Sequence, residues 1–425
     1  MNYLSSLKDI ANDTQIYIVG GTIRDYLLNR EIKDIDLLVM SDLERIVNKF
    51  SQLIKRKKIV LDKKRNIYRI VTEDNKFIDF TNPVGQDLYQ DLGCRDFTIN
   101  SMALALDNLS YKNDNIFIKK ENIIDPFKGV KDLENKRIRM VSSNFIDEDP
   151  IRILRAFRFS NNLNFEIAED TYQLIAENKK ILSNISGERI KDEIFKMFSK
   201  YLKPEKFKLL LKSNLVKVIF SIDFKNNIDV HNKLLKQISF VKKEEYLSKI
   251  EMDNYIFNLI LFFMRPVYHG FISIEVLKKY LLSYTFNKKA VNVIGDYLYS
   301  LNYLLKNYNI LTNNDILIYE ELFFKETEVE TLKYLLLSFF YTEHESQQQE
   351  IILETLNKLK IIKERLSYQF IDGNDVKNIM NIKEGELIGD ILAELKKKQA
   401  LGFFDNRKDV IKYLQKYAKR YNNDQ

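Results

Sequence analysis

One stretch constrains this 425-residue chain more than any other: Ile16 to Val39, reading IYIVGGTIRDYLLNREIKDIDLLV. The apolar run Ile16 to Val19 has strand character, and Gly20-Gly21 breaks it before a helix-like segment, Thr22 to Leu28. Strand, glycines and helix together make a phosphate-handling geometry, because glycine lets backbone N–H groups approach an anion at a helix N-terminus. Arg24, in the first turn, adds a charged fork for the same anion. A second strand, Ile35 to Val39, carries Asp34 and Asp36 at its leading edge, and residues two apart in a strand share a face. Two such carboxylates repel unless a cation lies between them, and hard Mg²⁺ is the usual cation where phosphates are also bound. A GG pair is often just a turn, and Asp-x-Asp is common on strand edges. GGxxRD followed by DxD within one strand-helix-strand unit is far more specific, and it points to a nucleoside triphosphate and metal site for phosphoryl or nucleotidyl transfer.

Glycine numbers 12 and proline 5, so most of the chain should be long helices with short connections. Four of the five prolines fall in the N-terminal half, which predicts an α/β head followed by a helical remainder. No apolar run is long enough to span a bilayer, and Met1 to Asn12 lacks the basic and apolar regions of an export signal, so the expectation is a soluble, cytoplasmic protein. The single cysteine, Cys94, excludes an intramolecular disulfide and reads as a small packing residue. His231, His269 and His344 are scattered, without metal-ligand spacing, and read as structural or exposed. A net charge of +7 permits a polyanionic partner without demanding one.

After an amphipathic helix, Leu43 to Lys55, come three strand-like runs: Lys58 to Leu61, Ile67 to Val71 and Phe77 to Phe80. Asp79 lies between apolar neighbours at the end of the last, either as a structural edge aspartate or as a third acid near the metal site. The KRKK and KKR clusters around the first of these runs read as solvated strand ends, with RNA contact as the alternative. The segment Asp91 to Leu104, DLGCRDFTINSMAL, predicts a turn at Gly93 and then a helix with Phe97, Met102 and Leu104 in the core. Arg95, Asp96 and Asn100 crowd an otherwise apolar segment, so they either brace the fold or hold a ligand's sugar and phosphates. Asn122 to Met140 predicts a strand, a tight turn through Asp125-Pro126 and Gly129, and a short helix closing the head. In DEDPIRILRAFRFSN, Asp147 to Asn161, Asp149 is placed to N-cap a helix whose first turn takes Pro150. Asp149, Arg152, Arg155 and Arg158 recur every three residues along one flank, forming either an exposed, salt-bridged ladder or a comb of planar groups facing a base and its phosphates.

GGTIRD with DID, CRDFTIN, EDPIRILRAFRF and then GERIKDEIFKMF (Gly187 to Phe198) occur in an order and spacing that resembles the class II tRNA nucleotidyltransferases and bacterial poly(A) polymerases, the group that includes CCA-adding enzymes. The motifs cover about the first half of the chain. Asp372 to Val410 is similar to the tail segment of the same group, and the stretch near 200 to 365 is helical without readable chemistry.

The resemblance implies an elongated α+β protein: a small mixed-sheet head of the polymerase-β type at 1–140, then an all-α neck at 141–200, body at 201–310 and tail at 311–425. It implies transfer of C, C and A to a tRNA 3′ end from CTP and ATP, with release of pyrophosphate. The motifs leave open a CC-adding or A-adding enzyme, a poly(A) polymerase and, more distantly, a catalytically silent RNA-binding protein. Gly21 and Arg24 would bind the triphosphate; Asp34 and Asp36, with Asp79 as a candidate third ligand, would hold Mg²⁺. Arg95 would touch triphosphate or sugar beside Asp96 and Asn100, Asp149 and Arg152 would read the base edge, and Arg155 and Arg158 would complete the pocket. Glu188 and Arg189 would brace the neck helices. The expected partner is the acceptor arm and 3′ end of tRNA, gripped by body and tail, with no membrane. The connection Phe80 to Asp91 is shorter than in many CCA-adding members.

Overall fold

The computed structural model describes residues 3–11, 14–32, 34–112, 115–223, 228–243, 252–311, 315–323, 325, 327–343, 346–382 and 385–423. His344, and parts of the stretch 200–365 read as helical, lie outside the described residues. The chain divides into two compact units, 1–197 and 198–425.

The first unit runs α1 (Tyr3–Ala11), β1 (Ile16–Val19), α2 (Gly21–Leu27), β2 (Asp34–Val39), α3 (Leu43–Leu53), β3 (Lys58–Asp62), β4 (Ile67–Val71), β5 (Phe77–Thr81), α4 (Leu88–Gly93), β6 (Ala103–Ala105), β7 (Ser110–Lys112), β8 (Asn115–Phe117) and β9 (Ile123–Ile124). It continues with α5 (Gly129–Glu134), β10 (Arg137–Ile138), α6 (Phe145–Glu148), α7 (Arg152–Leu163), β11 (Glu166–Ile167), α8 (Glu169–Asn178) and α9 (Gly187–Phe198). Seven strands make one sheet in the order β3-β4-β5-β2-β1-β6-β9. The β2–β5 pair is parallel and its neighbours are antiparallel.

Alternation in the strands decides what covers each face. Ile35, Leu37 and Val39 on β2 and Ile78 and Phe80 on β5 are buried, and Phe80 meets Phe50 of α3 at a ring distance of 5.6 Å. Apolar spacing gives α3 its buried stripe of Leu43, Ile46, Val47 and Phe50. The opposite face carries Asp34 and Asp36, and there Leu88 and Leu92 of α4 close over Val19, Leu38 and Ala103. That leaves the two acids at the margin of the α4-covered zone.

Two local expectations are corrected. Residues 91–104 are not one helix: α4 ends at Gly93, Thr98–Asn100 form a single 3-10 turn, and Ala103–Ala105 pair with β1 as a strand. Phe97, Met102 and Leu104 are in the core as expected. The polar side chains prevent a continuous helix by taking backbone partners of their own: Asp96 accepts from the Phe97 N–H (2.8 Å), and the Ser101 hydroxyl donates to the Leu92 carbonyl. Helix α7 begins at Arg152, with Ile151 rather than Asp149 at the cap position: the Asp149 backbone is extended, and its carboxylate, shared with Arg189, reaches only the Ile151 N–H at 3.4 Å.

The second unit is helical throughout its described elements. Phe198, Phe207 and Phe262 pack edge to face at 5.7–5.8 Å, and Arg265, fully buried, is neutralised by Glu343 at 2.8 Å. A separate core gathers Val376, Met380, Ile391, Leu395, Val410 and Leu414, beside a capping box at Asp372 and Asp375.

Gly129 opens α5 directly against the head: a Cβ there would lie 2.1 Å from the Thr98 carbonyl oxygen, which is backbone and cannot swing aside. Gly129→Ala should therefore lower unfolding stability by about 2 kcal/mol, measured by chemical denaturation, the scale of overpacking a rigid site. Gly385→Ala, whose Cβ meets nothing within 4 Å, should not share that loss.

Candidate active site

The site starts at the turn between β1 and α2. Gly20 has φ +70°, and a Cβ there would come within 2.8 Å of Arg95 Nη1 and 3.4 Å of Asp36 Oδ2, so only glycine fits. Thr22, one residue into α2, ties helix to strand: its hydroxyl donates to the Asp34 carbonyl (3.2 Å) and accepts from the Asp36 N–H (3.1 Å). The register of the acid-bearing strand is fixed from the same turn that would meet an anion.

Arginines line the wall, each set by an acid. Arg24 forks onto Asp25 (3.0 and 2.7 Å) and donates through Nη1 to Asn100 Oδ1 at 2.6 Å. Arg95 donates twice to Asp91 Oδ2 (3.0 and 2.8 Å), four residues earlier. Arg152 pairs with Glu148 at 2.7 Å and donates to the Cys94 carbonyl. Asp96, buried, accepts from four N–H groups: Phe97 N (2.8 Å), Asn100 Nδ2 (2.9 Å) and Arg155 Nε and Nη2 (2.8 and 2.6 Å). Burial pushes its carboxyl up, but the Arg155 charge and these hydrogen bonds outweigh it and hold the pKa below the ordinary carboxylate value. Burial likewise works against the Arg155 charge, and Asp96 and Glu193 hold its pKa above the usual arginine value.

These groups enclose a cavity of about 370 Å³, lined by Gly20, Gly21, Arg24, Asp36, Arg95, Asp96, Asn100, Asp149, Arg152, Arg155 and Phe159. The volume and the mix of cations, amide and carboxylates suit a phosphorylated ligand with a planar head. Nine of the twelve expected site residues line it, and Asp34, Asp79 and Arg158 do not. Arg158 turns away onto buried Glu193 (2.5 Å), with its guanidinium 4.2 Å from the Phe159 ring, so it backs the cavity wall instead of lining it. Asp149 lines the cavity, but both its oxygens accept from Arg189 Nη2 (2.9 and 2.7 Å), which joins α9 to the cavity wall.

Asp34 is exposed and Asp36 half-buried on one face of β2, as their spacing requires. Burial first, then the neighbouring Asp79 and Asp34, push the Asp36 carboxyl up to about 6, against the opposing pull of Arg95 and Arg24. Hard oxygen donors crowded in this way fit a divalent cation such as Mg²⁺. Asp79 lies beside Asp36 in the sheet register, but Arg69 takes both its oxygens at 2.7 Å. Among the described residues, no three acidic, histidine or cysteine side chains gather as a metal cluster. Cys94 is partly exposed, and burial with Glu148 and Asp91 pushes its thiol pKa up, which is unsuited to a nucleophile.

Phe159, which lines the cavity, and Asp25, Asp91 and Glu148, which hold its arginines, escaped sequence reasoning. Asp91 was signalled by its i,i+4 spacing to Arg95 and Asp25 by adjacency to Arg24; Phe159 and Glu148 carried no signal beyond their neighbours in the arginine helix.

Residues 16–139 match the family model described as the poly(A) polymerase head domain, and residues 164–222 match one described as a probable RNA- and SrmB-binding site of polymerase A. A CCA-adding enzyme of Lactococcus lactis subsp. lactis is 32% identical over 282 residues, which are 58% of this chain and 67% of that protein. The chain belongs to the class II tRNA nucleotidyltransferase and bacterial poly(A) polymerase family. A CCA-adding enzyme of Lactobacillus johnsonii is 37% identical over 195 residues, 43% of this chain and 46% of that protein. A CC-adding tRNA nucleotidyltransferase of Geobacter sulfurreducens is 35% identical over 182 residues, 43% of this chain and 40% of that protein. The match thus spans less than half the length of these two members. The crystal structure of a Bacillus stearothermophilus CCA-adding enzyme in complex with CTP superposes with a TM-score of 0.68 at 21% identity, covering 100% of this chain and 99% of that one, and shows the shared fold.

The Asp96 pair makes stability acid-sensitive. A carboxyl whose folded pKa is depressed contributes stability above its unfolded pKa and loses it as pH falls through the folded value. Asp96→Asn should lower stability at pH 7 by roughly 3 kcal/mol, the scale for breaking a buried pair, and should flatten the loss of stability below about pH 4. Denaturant titrations of both proteins across pH check this.

Proposed function

We propose that this protein is a template-independent tRNA nucleotidyltransferase that adds C, C and A to the 3′ end of tRNA from CTP and ATP, releasing pyrophosphate. The observation that carries the reading is that Asp36, Arg24, Asp149 and Arg152 all line one cavity. Gly21 and Arg24 bind the triphosphate, with Asn100 steering the Arg24 guanidinium. Asp34 and Asp36 hold the divalent ion, read as Mg²⁺, which when bound supplies charge neutralisation at the reacting phosphate and acidifies the attacking 3′-hydroxyl. Asp149 accepts from the exocyclic amine of cytosine or adenine while Arg152 donates to the ring edge, so bases lacking that pattern leave buried polar groups unpaired. Arg95 faces the sugar or phosphates, with Asp96 and Arg155 holding the floor.

The names of the curated relatives, CCA-adding and CC-adding, support this chemistry and this substrate class. In this reading 1–140 is the catalytic head, 141–200 the base-reading neck, and the body (201–310) and tail (311–425) hold the acceptor arm. A CC-adding enzyme is the second reading, favoured by the Geobacter relative and by the short connection from Phe80 to Asp91. Among the described residues no helix is long and apolar enough to cross a membrane.

Labelled CTP or ATP, offered singly with tRNAs ending before the CCA, after C and after CC, and with an unstructured RNA, decides the subclass. CTP incorporation on the first two and ATP incorporation on the third is expected; ATP left unused on the third makes the enzyme CC-adding, and no transfer to any RNA overturns the activity. Asp34→Ala or Asp36→Ala should lower kcat by at least roughly 10²-fold with circular dichroism unchanged, and chelation of divalent ions should stop transfer. Arg152→Ala should narrow the preference for CTP over UTP by roughly tenfold or more, beyond its effect on the rate with CTP.

A further inference from the structure

One row of registered residues crosses the sheet through the acids: Ile59 faces Arg69, Arg69 faces Asp79, Asp79 lies beside Asp36, and Asp36 faces Val19. Registered partners share a face of the sheet. The acid-bearing face therefore continues outward from β2 as Phe77 and Asp79 on β5, Ile67, Arg69 and Val71 on β4, and Ile59 on the edge strand β3. Helix α4 covers the inner strands on this side, but Phe77, Arg69 and Val71 are half-exposed and Ile59 is 46% exposed. The reverse face of the same strands is closed by Ile70, Ile78 and Phe80.

Next to the acids this open face is built for a planar guest. Arg69 donates from Nε and Nη2 to both Asp79 oxygens at 2.7 Å, and its guanidinium carbon lies 4.7 Å from the centroid of the Phe77 ring. The planar cation, fixed by a carboxylate, lies over the ring, so ring and guanidinium form a stacked pair. Exposed basic residues flank β3: Lys55, Arg56 and Lys57 lead into it, and Lys63, Lys64 and Arg65 form the turn into β4, with Arg56 paired to Glu73 at 3.4 Å and Arg65 to Asp62 at 3.9 Å.

The nucleotide cavity draws its lining from α2, the 95–100 segment, Asp149, α7 and Asp36, and none of its lining residues comes from β3, β4 or β5. In-line displacement at the α-phosphorus puts the attacking oxygen opposite the leaving pyrophosphate. With the triphosphate against Gly21 and Arg24, the attacking hydroxyl arrives from the β5 side of the acids. We propose that the Phe77–Arg69 pair seats the 3′-terminal nucleotide of the RNA primer, stacking its base, while the lysine- and arginine-rich ends of β3 hold the phosphates behind it. The assignment rests on the reading of Asp34 and Asp36 as the catalytic acids. Stacking on an aromatic or guanidinium plane accepts any base, which suits a primer whose last nucleotide changes after each addition. The flanking cations match the charge of an RNA backbone.

The test uses the full chain and a tRNA carrying 2-aminopurine at its 3′ end, whose fluorescence is quenched by stacking and needs no turnover. Quenching by the unmodified protein, its loss in Phe77→Ala and its return in Phe77→Tyr are expected. With a natural tRNA ending before the CCA, Phe77→Ala should raise the KM for tRNA about tenfold, one stacking partner's worth, and leave CTP affinity in the absence of RNA within about twofold. Lys63→Glu with Lys64→Glu should flatten the dependence of tRNA affinity on salt. Equal quenching by the unmodified protein and Phe77→Ala overturns the seat, as does a fall in CTP affinity matching the rise in KM. Dimerisation abolished by Phe77→Ala with an unchanged KM for tRNA assigns the face to a second copy and overturns it too. If the unmodified protein quenches the probe yet transfers no nucleotide to any RNA, the proposed activity fails while the seat stands.

Discussion

The cavity depends on one problem being solved: three guanidiniums of α7 and its approach must be carried out of bulk water without leaving a charge unmatched. An isolated buried charge costs several kcal/mol, so each arginine brings its own acid. Arg152 has Glu148, Arg155 has Asp96 and Arg158 has Glu193. Of these the Arg155–Asp96 pair reaches furthest, because Asp96 also accepts from Asn100, and Asn100 accepts from Arg24. A continuous chain of charge-assisted hydrogen bonds thus joins the guanidinium of Arg24 on α2 to that of Arg155 on α7, and neither end can reorient without disturbing the other.

The acids of β2 show the opposite condition. Asp36 is flanked by Asp34 along its own strand and Asp79 on the next, and burial with these neighbours drives its carboxyl up to about 6. Arg69 relieves Asp79, and Arg95 and Arg24 only partly relieve Asp36. Arginines satisfied on one wall and carboxylates under repulsion at the lip make a polarised site. In the proposed reading, a cation bound between these acids would relieve that repulsion.

Much of this was legible in the sequence wherever the signal was local. Strands β1 to β5 and helix α3 fell within two residues of their expected bounds, since two-residue alternation and glycine or polar breaks mark them directly. Ala103–Ala105 was misread because a short run buried on both faces has no period to distinguish strand from helix. The acid pair on β2 was readable from spacing. The partners of the arginines were not: Asp96 lies 59 residues from Arg155 and Glu193 lies 35 from Arg158, and nothing in a single sequence announces a pairing at that range. The same reason moved Arg158 from the expected pocket into its supporting wall.

Asp149 shows how a distant partner changes what a local motif means. As an N-cap, its carboxylate would have been spent on backbone N–H groups of its own helix. Here Arg189, 40 residues on, reaches both oxygens, and one of them also accepts a long bond from the Ile151 N–H (3.4 Å) just ahead of the helix. A carboxylate has about four acceptor sites, so these partners do not exhaust it, and Asp149 still lines the cavity. The pairing fixes the orientation of the carboxylate. In the proposed reading, a base offering only a carbonyl at that position would meet two acceptors face to face, so discrimination would lie in a contact set before any nucleotide arrives.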